Sequence, residues 1–300
     1  MKASVLIAAY QADAYIAKAL ESLLAQTHEN WELVVVEDGS EGETRRLVQT
    51  FGTRVRQRVR YDNLGRNQGV AEARNRLLEL AEGDWVAFLD ADDWWEPDHL
   101  ARAEAHFAAG ADFVAAGVEA VDLRTGASLG VHLPSPRVIQ DPLTGLFEQS
   151  AIVTSSCVAL RRSLAQGVGR FDALLRIGED RDFWMRCAAA GATFAATGAV
   201  TCHYAKHPSS TMAKTLLWAQ QEVAFYRKHW SLAAVPGRLR RKRLVNALLN
   251  YGRLSRATQP RASVRALAAA WGLEPLSPFA ALQFGRSAVE AVRGLFRSHA

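Results

Sequence analysis

The chain has 300 residues, 49% hydrophobic and 22% charged, proportions that suit a folded globular protein and exclude a disordered one. No apolar run reaches the ~18 residues of a membrane span, and Cys157, Cys187 and Cys202 lack the spacing of a zinc site or disulfide framework, which fits a reducing cytosol. The net charge of +5 is uneven: residues 1–222 carry 22 Lys/Arg against 29 Asp/Glu, a net of −7, whereas residues 223–300 carry 14 against 2, a net of +12.

In chain order, the apolar run Ser4–Tyr10 reads as a buried strand rather than a signal peptide, because Asp13 and Lys18 follow at once. Ile16, Leu20, Leu23 and Leu24 recur at helical spacing. Trp31–Val36 is a second strand, closed by the turn Glu37-Asp38-Gly39-Ser40. Val55 and Val59 suggest a third strand; Val70, Ala73, Leu77 and Leu78 mark a helix. Trp85–Leu89 is a fourth strand ending in Asp90, and Pro97 opens a helix with Leu100, Ala103 and Phe107 on one face. Residues 122–150 read as loop, Ser155–Leu160 as a strand, 180–190 as a helix stopped by Gly191, and 193–204 as a last strand. Beyond about 215 the pattern is helical and Arg-rich. Alternating strands and helices imply an α/β fold with a mostly parallel sheet and helices on both faces. Ligands bind such sheets at the carboxyl ends of strands, where the acidic clusters at 37–38 and 90–93 fall.

Five segments carry candidate chemistry. In Phe88-Leu89-Asp90-Ala91-Asp92-Asp93, three crowded carboxylates repel one another unless a cation joins them. Hard oxygen ligands suit Mg²⁺ or Mn²⁺ shared with substrate phosphates; the alternative is a solvated loop in which Asp92 or Asp93 caps a helix. Glu37-Asp38 can accept from a base N–H or ribose hydroxyl, or form an Asx-turn. Residues 63–75 contain Gly65, Gly69, Arg74 and Asn75 but neither G-x-G-x-x-G nor a P-loop lysine, which argues against a dinucleotide site or NTPase. Arg74 suits a phosphate or a surface ion pair. Gly178-Glu179-Asp180-Arg181-Asp182-Phe183-Trp184 places acids at a helix start, as caps or as a rigidly held general base. Tyr204-Ala205-Lys206-His207-Pro208 holds a single histidine.

In this order the segments resemble family 2 glycosyltransferases of the GT-A fold, from SVLIAAY to HPSST near residue 211, about 70% of the chain. VEDGS is similar to that family's nucleotide-binding turn and QGVAEARN to its helix-opening segment. FLDADD resembles its D-x-D metal segment, VGRFD with GEDRDFWMR its acceptor loop and catalytic pair, and YAKHP its Y-R-x-H-P segment. The resemblance implies a catalytic domain over 1–215 that binds a nucleotide-diphosphate sugar, with a basic helical extension over 216–300. It implies inverting transfer to a glycan or lipid-linked acceptor in polysaccharide or glycan biosynthesis, with Mn²⁺ or Mg²⁺ as cofactor. Ala9, Tyr10, Glu37, Asp38, Arg74, Asn75 and Asp90 would line the donor; Asp90, Asp92 and His207 would meet the metal. Asp180 would be the base, with Glu179 and Trp184 on the acceptor side. Glu37 replaces the commoner aspartate and Ala205 the commoner arginine, so a bidentate fork on the diphosphate is lost there.

A nucleotidyltransferase would carry a Gly-rich basic loop after the first strand, where this chain has Ala9-Tyr10-Gln11-Ala12-Asp13. A catalytically silent nucleotide-sugar-binding module would not need its acids, yet those at 38, 90, 92 and 180 are intact. Between Arg227 and Arg265 eleven basic residues and no acid alternate with leucines, which suits an amphipathic helix on an anionic membrane. The expected location is therefore cytoplasmic, peripheral at the inner face of the membrane or with the extension docked on the acidic catalytic part. Sparse aromatics there argue against nucleic acid.

Overall fold

A computed structural model describes residues 1–149, 152–207 and 215–297, with side chains to 290. The chain divides into two compact units, Met1–Pro208 and Ser209–Ala300. The expected junction at 215 adjoins residues 208–214, which lie outside the described residues, as does the end of HPSST.

The first unit begins with β1 (Ala3–Ala9), α1 (Ile16–Leu24), β2 (Trp31–Glu37), α2 (Thr44–Gly52), β3 (Val59–Asn63), α3 (Val70–Leu80) and β4 (Trp85–Phe88). Every residue of β2 and all but one of β1 are buried, so the sheet is covered on both faces. Their continuous Val/Leu/Ile runs are the sequence of such strands. These four strands pair in parallel, with Leu6 opposite Val34 on one side and Phe88 on the other. Then come β5 (Trp94–Trp95), α4 (His99–Ala108), β6 (Phe113–Asp122) and β7 (Ser128–His132). α5 (Pro136–Gln140) and α6 (Pro142–Glu148) follow, and after a 3₁₀ turn at Ser155–Cys157 come β8 (Val158–Arg161), α7 (Arg162–Gly167), α8 (Glu179–Ala189) and β9 (Phe194–Lys206).

The sheet order is β3-β2-β1-β4-β8-β6-β9-β5, with β7 on the side of β6. The parallel half matches the sequence reading. Beyond it β8 runs antiparallel to both β4 and β6, so the full sheet is mixed. Two expectations change here. Residues 122–149 are not one loop: Ser135 and Asp141 cap α5 and α6, each with proline in the first turn. The strand expected from Ser155 begins at Val158, because the Thr154 hydroxyl accepts from the Ser156 N–H and winds residues 155–157 into the 3₁₀ turn.

The second unit holds α9 (Thr215–Lys228), α10 (Gly237–Ser255), α11 (Pro260–Leu273) and α12 (Pro278–Arg297). α10 packs on α9 and α11, and α11 on α12. Gly252 lets α10 approach Leu267 of α11, where a Cβ would meet the leucine side chain. Leu244, Val245 and Leu248, in the stretch read above as an amphipathic membrane helix, are buried in this bundle, while Arg238, Arg241 and Lys242 of the same helix are exposed.

Candidate active site

The strand order places β1 between β2 and β4, so the acidic turns after β2 and β4 flank its end. Ala9 is buried, and its carbonyl accepts from the Asp38 N–H at 2.8 Å. Tyr10 beside it is 49% exposed. Glu37 is buried and accepts from the Tyr61 hydroxyl at 2.7 Å and from the Ser40 hydroxyl. Gly39 is left-handed at φ 72°, and an added Cβ would land on the Arg66 backbone, so this turn requires glycine. The Asp38 carboxylate accepts from the Gln68 and Gly69 N–H groups at 2.6 and 2.8 Å. It fastens the loop that leads into α3.

Arg74, on α3, is buried and donates to Asp90 at 2.9 Å and to Glu179 at 2.6 Å. Burial alone would lower its pKa; the charges of Asp90, Glu179 and Asp180 outweigh that and raise it. The Asn75 amide donates to the Phe171 carbonyl at 3.1 Å and accepts from the Phe171 N–H at 2.6 Å. Both ends of the side chain are spent on holding the loop before α8.

After β4, the Asp90 N–H donates to the Ser156 hydroxyl at 2.9 Å, and its carboxylate accepts from Thr154 at 3.3 Å. Asp92 meets His207 Nε2 at 2.9 Å, and the His207 ring stacks on Tyr15 at 4.8 Å. Asp93 is fully buried and accepts from Ser156, Thr154 and the Ala205 N–H at 2.5, 3.1 and 2.9 Å. Burial, then the neighbouring carboxylates, raises the pKa of both Asp92 and Asp93. Asp93 thus serves as the buried anchor tying this turn to β9, rather than as a cap near Pro97.

α8 opens at Gly178, left-handed at φ 81°. Asp180 accepts from the Ser155 hydroxyl at 3.4 Å and from the Arg181 N–H at 2.6 Å. Trp184 is 1% exposed, one turn deeper along α8, and packs against Phe88, Phe113, Phe171 and Phe183. The structure therefore brings together Arg74, Asp90, Asp92, Asp93, Glu179, Asp180 and His207. The sequence reading missed Thr154, Ser155 and Ser156, whose hydroxyls serve Asp90, Asp93 and Asp180. Three successive hydroxyls are a signal only once β8 is known to lie beside β4. Among the described residues no group of three or more His, Cys, Asp or Glu is arranged to hold a metal by itself.

Burial, and next the charge of Asp180, pushes the Glu179 carboxyl up to about 7 despite Arg74. Between its ordinary 4.5 and about 7 the folded chain keeps a proton that the unfolded chain has lost. The stabilisation is complete at low pH and disappears as pH rises through about 7. Thermal melts should show Glu179→Gln losing less stability than the parent chain over that rise; parallel curves would show that Glu179 ionises normally.

A family model described as Glycosyl transferase family 2 matches residues 4–169, more than half of the chain. The chain belongs to glycosyl transferase family 2. The match stops short of Glu179, Asp180 and His207. Among relatives of this glycosyltransferase, the succinoglycan biosynthesis protein ExoO of Rhizobium meliloti is 37% identical over 184 residues, 58% of this chain and 52% of that protein. The putative teichuronic acid biosynthesis glycosyltransferase TuaG of Bacillus subtilis is 40% identical over 99 residues, 33% of this chain and 39% of that one. The chain thus spans about half or less of these two curated relatives. A PGL/p-HBAD biosynthesis glycosyltransferase of Mycobacterium tuberculosis is 30% identical over 61% of this chain and 68% of its own length. In three dimensions, S. aureus TarS 1-349 in complex with UDP-GlcNAc superposes with a TM-score of 0.70 at 21% identity, over 100% of this chain and 92% of that one. The mannosyltransferase PcManGT of Pyrobaculum calidifontis, in complex with GDP-Man and Mn²⁺, gives 0.60 at 21%, over 99% and 87%. These likenesses bear out the GT-A fold.

Proposed function

We propose that this family 2 glycosyltransferase moves a sugar, with inversion, from a nucleoside-diphosphate donor to a hydroxyl of a glycan or lipid-linked acceptor. The reading rests on one observation above the rest: Arg74 joins Asp90 of the D-x-D turn to Glu179 of the helix start, so the two acidic motifs share one site. In the proposed step Asp180 accepts the proton of the acceptor hydroxyl as that oxygen bonds the anomeric carbon. The bond from that carbon to the diphosphate oxygen breaks on the opposite face, and the nucleoside diphosphate leaves with the electron pair. One base suffices for a single displacement. Ala9, Tyr10, Glu37 and Asp38 would flank the nucleoside, with uridine the first base to test. The relatives' names favour a role in polysaccharide or glycan biosynthesis. Residues 1–215 would form the catalytic part and 216–300 the basic extension, in the reducing cytoplasm that the free, buried cysteines suit.

A divalent cation fits this donor set. Asp92 and His207 converge from two strand ends, and the crowding of carboxylates that raises the pKa of Asp92 and Asp93 is relieved by a positive charge. Asp92 and His207 would hold Mn²⁺ or Mg²⁺, with Asp90 adjacent. When bound, the ion supplies charge neutralisation for the leaving diphosphate. Asp92→Asn should abolish Mn²⁺-dependent binding of UDP while the melting temperature stays near that of the parent. Equal affinity of both forms for UDP with Mn²⁺ would end the metal assignment.

The proposal is tested by nucleotide release from UDP- and GDP-sugars with Mn²⁺, with Mg²⁺ and with EDTA. Release that needs both metal and acceptor supports it. Donor binding without release would mark a silent binding module, and pyrophosphate formed from a nucleoside triphosphate and a sugar phosphate would mark a nucleotidyltransferase.

A further inference from the structure

The last helix is inside out. In α12, Ala280, Gln283 and Ser287 are buried, while Phe279, Leu282 and Val289 are each 52% exposed. Residues 279, 282, 286 and 289 recur at steps of three and four, so they share one face. The inward polar groups are satisfied: Arg256 donates to Ser287 at 2.8 Å and to Gln283 at 2.6 Å, and Ser263 meets Ser287 at 2.9 Å. A helix at a protein surface normally turns its apolar stripe inward; this one turns it to water. At the α11–α12 turn Leu276 is 95% exposed, while Trp271, in the last turn of α11, lies 5.6 Å from the Phe284 ring. Phe279, Leu282 and Val289 thus form an exposed apolar edge of the second unit.

We propose that this edge of α12 and the α11–α12 turn seats the protein on the surface of an anionic bilayer. Charge selects the occupant. Residues 223–300 carry a net +12, with Glu274 and Glu290 as the acids. Arg261, Arg265 and Arg286 are among the exposed bases. Two copies of so basic a unit repel each other, whereas an anionic leaflet attracts it. Apolar side chains on a face that also carries the exposed Arg286 suit the depth of an interfacial helix, not a span, and no described helix is long and apolar enough to cross a membrane. α10 is not the contact, since Leu244, Val245 and Leu248 are buried in the bundle.

The test is sedimentation of the full chain with phosphatidylcholine vesicles and with vesicles that also contain phosphatidylglycerol. Binding only to the latter is expected, weakened by high salt, with partitioning at least about tenfold lower in Phe279→Ser/Leu282→Ser. Leu276→Ser, at a fully solvated site, should weaken binding without touching the fold. Variants that sediment like the parent, or a parent that sediments with neither vesicle, would overturn the proposal. So would a concentration-dependent dimer that the double variant abolishes while no vesicle is bound.

Discussion

Replacing Asp180 with asparagine will leave donor affinity within a few-fold and lower sugar transfer by about 10²–10⁴, the range for losing a positioned general base. The side chain sits at the mouth of α8, held by the Ser155 hydroxyl and the Arg181 N–H. Asparagine keeps an acceptor oxygen for the shorter of these bonds but cannot take a proton. Both kcat and kcat/KM should fall while the donor dissociation constant holds. A variant that transfers at the parent rate would leave Asp180 as a helix cap. A variant that also loses the donor would show that the residue works on the nucleotide instead.

The largest loss of stability is expected at Arg74. Its guanidinium is buried between Asp90 and Glu179 and lies 5.8 Å from the Phe171 ring. Removing one member of a buried ion pair typically costs about 3–5 kcal/mol, because the remaining charge has no partner and no water. Here buried Glu179 loses its cation, and Asp90 keeps only the Thr154 hydroxyl, with Asp180 nearby. Arg74→Ala should therefore melt far lower at neutral pH, and part of the loss should return at acid pH as Glu179 takes up a proton. Arg74→Lys supplies one point charge without the fork and should fall between. Denaturant melts at two pH values decide this; an alanine variant as stable as the parent would mean the acids are solvated. The same variants should lose transfer even where they stay folded, since Arg74 orients both sides of the site.

How much of this was legible depends on which residues carried the signal. β1, β2 and β4 announce themselves because strands covered on both faces are unbroken apolar runs. β6 did not, because Ala115-Ala116-Gly117 at its centre has low strand propensity and takes its structure from the neighbours β8 and β9. The helices inside the stretch read as loop are hidden by Pro136 and Pro142, each of which stands in the first turn of a short helix behind a capping side chain. The acidic motifs were visible as motifs, but a motif does not say where a side chain points. Asn75 lies one residue past Arg74, and on a helix that step turns it from the acids to the Phe171 backbone. Trp184 lies one turn past Asp180, which carries it from the mouth of the helix into the aromatic core. The hydroxyls of 154–156 were silent because their partners lie far off in the chain.

That separation governs the order in which the molecule can be made. Asp90 waits for Ser156, 66 residues on; Asp93 waits for Ala205, 112 on; Arg74 waits for Glu179, 105 on. A ribosome adding about 5–20 residues per second exposes the D-x-D turn on the order of ten seconds before its last clasp emerges. Through that interval Arg74 is a counter-charge already synthesised near three carboxylates that repel, so the turn remains in water. The parallel strands β1 to β4 can form meanwhile, and the acidic turn closes as a latch when β9 arrives. A nascent chain halted before residue 205 would hold a nearly finished parallel half and an open, highly charged seam.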